Sequence, residues 1–185
     1  VLKGSGAAGG IGGVLGGSGY IKNCYSSATV IDQIANNAGK AGGIIGRVNG
    51  NASGSSIENC YTSGDINAIG GGNAGGIVGK VDGGKLVIKN CIAWNSMLVS
   101  TDKAKVGRIV GGTANATYEN CYAYDGMILK AGEATFTVSD ETSPSGSSFQ
   151  GVAKSANELK NTVINWDSSL WKEGGNGYPV FKWSK

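Results

Sequence analysis

Short apolar segments alternate with clusters of glycine, asparagine and serine along most of this chain. The apolar segments are four to six residues long, which suits β-strands, and none approaches the length of a membrane-spanning helix. Turn-forming residues separate them at short intervals. The pattern therefore predicts a fold made of many short strands joined by tight turns.

Two phrases recur four times in the same order, which indicates a repeat architecture. The first phrase joins glycines to two aliphatic residues, and the second contains an asparagine followed by a cysteine. An apolar residue stands six positions after each cysteine. The first phrase covers residues 12–16, 42–46, 75–79 and 107–111, the cysteines are Cys24, Cys60, Cys91 and Cys121, and the apolar residues that follow are Val30, Ile66, Met97 and Met127.

Each repeat contains three strand-sized apolar pieces, too few to enclose a core alone. Stacking each copy on the next would make parallel ladders around one continuous interior. The sequence therefore predicts an all-β fold, a right-handed parallel β-helix (β-solenoid) of about four three-stranded rungs. Successive rungs would lie about 4.8 Å apart.

The alternation of inward and outward positions can be assigned from Arg108, which replaces a glycine of the first phrase and is expected to face solvent. On that assignment one aliphatic column is interior and its neighbours form an apolar stripe on the outside. The interior column would be Val14, Ile44, Ile77 and Ile109, and the outer stripe Leu15, Ile45, Val78 and Val110.

The cysteines and the asparagines before them are predicted to form structural ladders. Thiols stacked on successive rungs point in parallel, which suits neither disulfides nor a tetrahedral zinc site, so we expect buried free thiols. The asparagines are expected at a bend, with amides bonded either from rung to rung or to the backbone of the turn. These asparagines are Asn23, Asn59, Asn90 and Asn120.

A tyrosine follows the cysteine in three of the four copies, and this column is one candidate partner-binding surface. Rings with polar tips could form a flat platform for a sugar or a protein, although simple packing between loops is the favoured explanation. The outer aliphatic stripe is a second candidate. The candidate residues are Tyr25, Tyr61 and Tyr122, together with Leu15, Ile45 and Val78.

The repeats fade after the fourth cysteine. One more strand-like run is predicted at 134–139, then a Ser/Gly/Pro loop at 142–148, then a capping box at Ser155 that opens a short helix to about Val163. Aromatic residues crowd the end of the chain and are expected to cap the solenoid or to cover its outer stripe. The predicted domains are 1–140 for the repeats (about 9–38, 39–72, 73–104 and 105–140) and 141–185 for the loop and the aromatic cap.

The amino-acid composition limits the kinds of catalytic and binding site that the chain can form. The 185 residues include 34 glycines and no histidine, so the commonest general acid/base and metal ligand is missing. Asp32, Asp65 and Asp125 stand at different distances from their cysteines and predict no paired-carboxylate site. A net charge of +3 with scattered cations argues against nucleic-acid binding. We therefore expect no enzyme activity, no cofactor, no metal and no membrane insertion.

The two phrases resemble the GLUG repeat of large exported bacterial proteins, including surface proteins of gut Bacteroidetes and regions that flank the protease of immunoglobulin A peptidases. The resemblance covers residues from about 9 to 130. It implies a repeat module of adhesin-like proteins and offers no catalytic residues to transfer. The opening residues lack the plan of a signal peptide, so the expected location outside the cell rests on the resemblance.

The function expected from the sequence is a non-catalytic β-solenoid module, secreted or on a bacterial cell surface, that acts as an adhesin. The alternative is an accessory, non-catalytic region of a secreted immunoglobulin A peptidase-like protein, and the third is a β-helix enzyme that acts on polysaccharides. Expected partners are extracellular proteins or glycans, or further copies of the chain joined end to end or through an edge.

Overall fold

A computed structural model of the protein describes residues 1–4, 6–36, 38–50, 53–83, 85–112, 116–138 and 149–184. In those ranges the chain winds into a β-solenoid of about four rungs, with one short helix near the C-terminus and an aromatic cluster beside it. The predicted solenoid is confirmed.

Each rung is divided more finely than predicted, with five short strands in each of the first three rungs as far as the structure describes them. A bend inside the glycine phrase splits it into two strands, and the asparagine before each cysteine makes a second bend. These asparagines have φ between 51° and 53°, the left-handed region that asparagine tolerates better than most residues.

The strands follow one another in the same order on every rung. The first rung holds β1 (Leu2–Gly4), β2 (Ala8–Gly9), β3 (Gly12–Leu15), β4 (Tyr20–Lys22) and β5 (Tyr25–Ser26). The second holds β6 (Val30–Asp32), β7 (Lys40–Gly42), β8 (Ile45–Val48), β9 (Ser53–Glu58) and β10 (Tyr61–Thr62). The third holds β11 (Ile66–Ala68), β12 (Asn73–Gly75), β13 (Val78–Val81), β14 (Lys85–Lys89) and β15 (Ile92–Ala93). The fourth holds β16 (Met97–Ser100), a 3-10 turn (Lys103–Lys105), β17 (Val106–Gly107), β18 (Ala116–Glu119) and β19 (Tyr122–Tyr124).

The remaining elements are β20 (Ile128–Ala131), β21 (Ala134–Phe136), β22 (Val152–Lys154), α1 (Ala156–Trp166), β23 (Trp171–Glu173) and β24 (Pro179–Phe181). The helix begins where the capping box predicts and ends three residues later than expected. The predicted run at 134–139 corresponds to β21. The predicted loop at 142–148 lies outside the described residues.

Equivalent strands of successive rungs pair in parallel and form sheets that run along the solenoid axis. The sheet that matters for the site, which we call the tyrosine sheet, has the order β22-β19-β15-β10-β5. On another side of the solenoid β21 pairs antiparallel with β20. This reversal ends the parallel stacking of that sheet.

Two buried clusters fill the interior. The larger contains aliphatic side chains of the glycine and asparagine phrases together with Cys60, Cys91 and Cys121. The smaller packs small alanines such as Ala41 and Ala74 against a column of larger residues. That column is Val30, Ile66, Leu98 and Leu129. The sequence predicted Met97 and Met127 at the positions that Leu98 and Leu129 occupy.

Glycine is required where the corners of successive rungs meet. A Cβ at Gly43 would lie 2.1 Å from the carbonyl oxygen of Gly76, and one at Gly10 would lie 2.3 Å from the carbonyl oxygen of Gly43. Real Cβ atoms do not approach an oxygen this closely. The glycines of the first phrase therefore allow the rungs to stack at these corners.

The predicted outer stripe is wrong. Ile45 and Val78 are 2% and 0% exposed and pack in the same buried cluster as Ile44 and Ile77, which are both 0% exposed. The bend between β7 and β8 explains the error, because strand alternation does not continue through a corner. Val110 is likewise buried, and Leu15 packs against that cluster from the first rung.

Arg108, used to assign the alternation, is 5% exposed and does not face solvent. Its Nε donates to the carbonyl oxygen of Gln150 at 3.0 Å and its Nη2 to that of Gly151 at 2.9 Å. These bonds hold the segment before β22 against the fourth rung. Two of its three guanidinium nitrogens thus donate to backbone carbonyl oxygens, which offsets the cost of its burial.

The first copy of the glycine phrase is also displaced from its predicted register. Gly9 pairs with Gly42 and Val14 with Arg47, three positions from the predicted alignment. The stretch from Gly9 to Gly16 contains two overlapping matches to the phrase, and the structure uses the earlier one. Val14 therefore lies at an outward position and is 57% exposed, whereas the prediction made it interior.

The first rung leaves interior-type positions uncovered. Leu2 is 42% exposed although its partner Val30 is 0% exposed, and Ile11 is 46% exposed although Ile44 is 0% exposed. These side chains belong to columns that are buried on the following rungs. The first rung thus presents apolar side chains together with an unpaired strand edge in the described part of the chain.

We predict that Gly43→Ala destabilises the protein by about 3 kcal/mol, because its methyl group would overlap the next rung. The matched control is Gly16→Ala, where a Cβ meets nothing within 4 Å; this change should stay within about 1 kcal/mol of the parent. Urea unfolding followed by circular dichroism measures both. Equal midpoints for the two variants would show that the corner glycines do not limit rung stacking.

Candidate functional site

The cysteines stack as free thiols along the inside of the solenoid. Cys60, Cys91 and Cys121 are buried, and Cys24, on the open first rung, is half-buried. The thiols of Cys91 and Cys121 each donate to a carbonyl oxygen on the preceding rung, at 3.4 Å from Ile57 and from Ile88 respectively. Burial raises the pKa of Cys121 to about 12, and a hydrogen bond with Cys60, then burial, raises the pKa of Cys24.

The asparagines form a ladder of side-chain amides at the next corner. Asn59 Nδ2 donates to Asn23 Oδ1 at 3.1 Å, and Asn90 Nδ2 donates to Asn59 Oδ1 at 3.0 Å. Asn120 Nδ2 continues the series to Asn90 Oδ1 at 3.1 Å. All the bonds point the same way, so the ladder has a donor end at Asn23 and an acceptor end at Asn120.

The tyrosine column lies on the outer face of the tyrosine sheet and is covered by the C-terminal segment. Tyr61 pairs with Tyr25 on one side and with Ile92 on the other, and Ile92 pairs with Tyr122. The rings of Tyr25 and Tyr61 stack with centroids 5.2 Å apart. Tyr61 is only 1% exposed and donates its hydroxyl to the carbonyl oxygen of Pro179. Burial raises the pKa of Tyr61.

Helix α1 supplies part of this cover. Its N-terminus is fixed by a capping box, in which Ser155 N donates to Glu158 Oε2 at 2.9 Å and Glu158 N donates to Ser155 Oγ at 3.4 Å. Hydrogen bonding from Ser155 lowers the pKa of Glu158. Leu159 and Val163, four residues apart on one face, are both 0% exposed and pack in the cluster that contains Tyr61.

The β23–β24 hairpin supplies the rest of the cover. Trp171 is 1% exposed, and its ring centroid lies 5.8 Å from that of Tyr61 and 4.4 Å from that of Phe181. Lys160 of the helix and Glu173 of the hairpin form an ion pair at 3.0 Å. The aromatic end of the chain therefore covers an outer stripe, as one of the two expectations had it, but the stripe is aromatic and lies on the tyrosine sheet.

Two of the clefts beside this cover have a similar lining. The hairpin cleft is lined by Trp94, Ser96, Tyr124, Ala156, Asn176, Gly177 and Tyr178. The helix cleft is lined by Asn90, Asn120, Tyr122, Thr162, Asn165 and Trp166. Both combine aromatic rings with neutral hydrogen-bonding groups, a lining that binds by stacking and hydrogen bonding.

The predicted partner-binding residues are thus mostly enclosed. Ile45 and Val78 are inside the solenoid, Tyr61 is under the cover and Tyr25 is half-buried beside it. Tyr122 is half-buried at the helix cleft, where the ammonium group of Lys154 lies 3.8 Å from its ring centroid. Of the predicted column, Tyr122 is the residue that reaches a cleft.

Acidic side chains in the described ranges do not form a candidate catalytic or metal-binding cluster. Asp32 is 0% exposed, and its carboxylate accepts hydrogen bonds from the backbone nitrogens of Ile34 at 2.9 Å and of Gly6 and Lys40 at 3.4 Å. Its role is to hold turns between rungs. Within the same ranges no group of three or more cysteine, aspartate or glutamate side chains is placed to hold a metal ion.

In the part of the chain that the structure describes, no helix is long and apolar enough to cross a membrane. Helix α1 has 11 residues.

A solved structure shows the same fold. The chain is 50% identical to a Bacteroides ovatus protein that carries a provisional assignment as an immunoglobulin A1 protease, and the two superpose with a TM-score of 0.87. The match covers 99% of this chain. It covers 55% of that protein, so this chain corresponds to little more than half of its length.

The other two comparisons are negative. No family model matches the chain, and no curated protein matches it.

Sequence reasoning missed the residues that give the clefts their chemistry. The sequence places Thr162 in the predicted helix and Asn165 just beyond its expected end. It predicts no functional role for these two residues, nor for Trp94 and Asn176. The spacing of Thr162 and Asn165, three apart on a helix, was the available signal for a shared face. The sequence does not indicate which strand column that face would lie against.

We predict that the thiols of the folded protein resist 5,5′-dithiobis(2-nitrobenzoic acid) at pH 8. Cys60, Cys91 and Cys121 are buried, raised pKa values keep Cys24 and Cys121 protonated, and the thiolate is the reacting form. All four should react once the protein is unfolded in guanidinium. Rapid reaction of Cys121 in the folded protein would contradict a closed interior, and Cys24→Ser identifies any signal from the half-buried first-rung thiol.

Proposed function

We propose that this chain is a non-catalytic β-solenoid module of an exported protein similar to immunoglobulin A peptidases. The observation that carries the proposal is the 50% identity and shared fold with the Bacteroides ovatus protein over 99% of this chain. That protein's provisional assignment is to an immunoglobulin A1 protease. The repeat phrases, which resemble those of GLUG modules in exported proteins, support the same conclusion.

A supporting role without catalysis accounts for the chemistry of the chain. It has no histidine. The carboxylate of the buried Asp32 accepts hydrogen bonds from backbone N–H groups. The hairpin cleft and the helix cleft are lined by uncharged groups. Such surfaces can position or hold an extracellular protein or glycan, and they offer no acid/base pair to cleave one.

Adhesion is the second candidate. The observation that favours it is that the helix cleft leaves aromatic rings and amides accessible on a rigid scaffold. On this alternative the module itself attaches its parent protein to a surface and has no part in a protease. Its ligands would be extracellular proteins or glycans in either case.

We predict that the purified chain cleaves neither human immunoglobulin A1 nor a panel of plant and host polysaccharides, because it contains no histidine and its described residues include no cluster placed to hold a metal ion. Mass spectrometry of the antibody and reducing-sugar assays of the polysaccharides measure this. The heat-unfolded chain is the control for contaminating activity. Cleavage that depends on the folded chain would overturn the non-catalytic role.

We also predict that the protein is exposed outside the producing cell. Antibody raised against the purified chain should label intact cells or precipitate the protein from culture fluid. Labelling that requires permeabilised cells, with the protein confined to the soluble cell interior, would contradict export. An internal protein measured in the same samples controls for cell lysis.

A further inference from the structure

The helix cleft combines the acceptor end of the asparagine ladder with one face of α1. Its six lining residues supply amides, a hydroxyl and two aromatic rings, and none is charged. The cleft is open to solvent and has a volume of about 280 Å³. A small-molecule site usually joins apolar or aromatic surface to a few converging polar groups. Four of the six lining residues here are polar, which suits a ligand rich in hydroxyl groups.

The ladder delivers an unshared acceptor to this cleft. Asn120 donates to Asn90, and within the described residues its own Oδ1 accepts no hydrogen bond. Hydrogen bonds between side-chain amides that all point in one direction polarise one another, which strengthens the acceptor at the end of the series. Asn23, at the other end, has the same backbone conformation but does not line the cleft.

The helix provides the facing groups. Thr162 and Asn165 are three residues apart and line the cleft together. The Thr162 hydroxyl donates to the carbonyl oxygen of Glu158 at 2.8 Å, so its lone pairs remain to accept a bond. Trp166 is half-buried, and its ring meets that of Trp171 edge-on with centroids 6.2 Å apart. The contact with Trp171 holds one side of the ring.

We propose that the helix cleft binds a neutral sugar residue of a glycan. Sugar hydroxyls would donate to Asn120 Oδ1 and Thr162 Oγ1 and pair with the amide of Asn165, which can donate and accept at once. The apolar face of the sugar ring would pack against Trp166, because the ammonium group of Lys154 already lies over the ring of Tyr122. The six lining side chains carry no charge, and the ammonium group of Lys154 beside the cleft lies on the ring of Tyr122, so we expect neutral sugars to be favoured over sialylated or sulfated ones. This ligand class deepens the proposed function and rests on it for the extracellular source of the glycan.

The test uses the purified chain on an array of oligosaccharides that end in glucose, galactose, mannose, N-acetylglucosamine or N-acetylgalactosamine, with sialylated and sulfated counterparts. Calorimetry and saturation-transfer NMR then measure the strongest neutral ligand. We expect neutral glycans to bind. Asn165→Ala and Thr162→Val should each weaken binding about 3- to 10-fold, the effect of one lost hydrogen bond.

Asn161→Ala is the matched control, because it removes the same kind of exposed amide from the same helix outside the cleft. It should leave affinity unchanged, and circular dichroism should show all three variants folded. Failure of every neutral glycan to bind, binding confined to anionic glycans, or equal binding by the Asn165→Ala/Thr162→Val double variant would each overturn the proposal. None of these results bears on cleavage or export, so the proposed function is tested separately.

Discussion

The close contact of glycine backbones at the corners of successive rungs is the constraint on which the rest of the structure depends. At Gly43 and its equivalents there is no room for a methyl group, so each rung can settle at strand-pairing distance from the next. Once the corners stack, every other position repeats at the same spacing. Thiols, amides and tyrosines then form columns because each residue type recurs at one place in the repeat, and the columns give each face of the solenoid a uniform chemistry.

The repeat could be predicted from the sequence because its phrases contain residues that few folds use together, glycine pairs and an asparagine before a cysteine. The direction in which the side chains point could not be predicted. Ile44 and Ile45 are both buried because a bend separates their strands, and a bend at a glycine leaves no mark on the apolar pattern. The cover could be foreseen from its aromatic residues, but its partner depended on that mistaken direction. The clefts lie between segments far apart in sequence, so neither could be predicted from local pattern.

The tyrosine sheet shows how a solenoid acquires a specific surface. Repetition alone produces a plain outer column, and the C-terminal segment converts it into an enclosed aromatic cluster in which Tyr61 and Trp171 are almost fully buried. Where the cover ends, the column and the asparagine corner become accessible again. The boundary between repeated and unrepeated polypeptide therefore brings column residues next to side chains that occur once, and the helix cleft lies on that boundary.

The separations between cysteines, 36, 31 and 30 residues, show that the repeats differ in length although their columns remain aligned. Length differences must be taken up between the paired strands, as in the connections that leave β8 and β13. Chain length and column chemistry are consequently independent variables in this architecture. Connections can be lengthened, shortened or exchanged without moving a cysteine or an asparagine, which allows new loops to arise on a scaffold whose stacking they do not disturb.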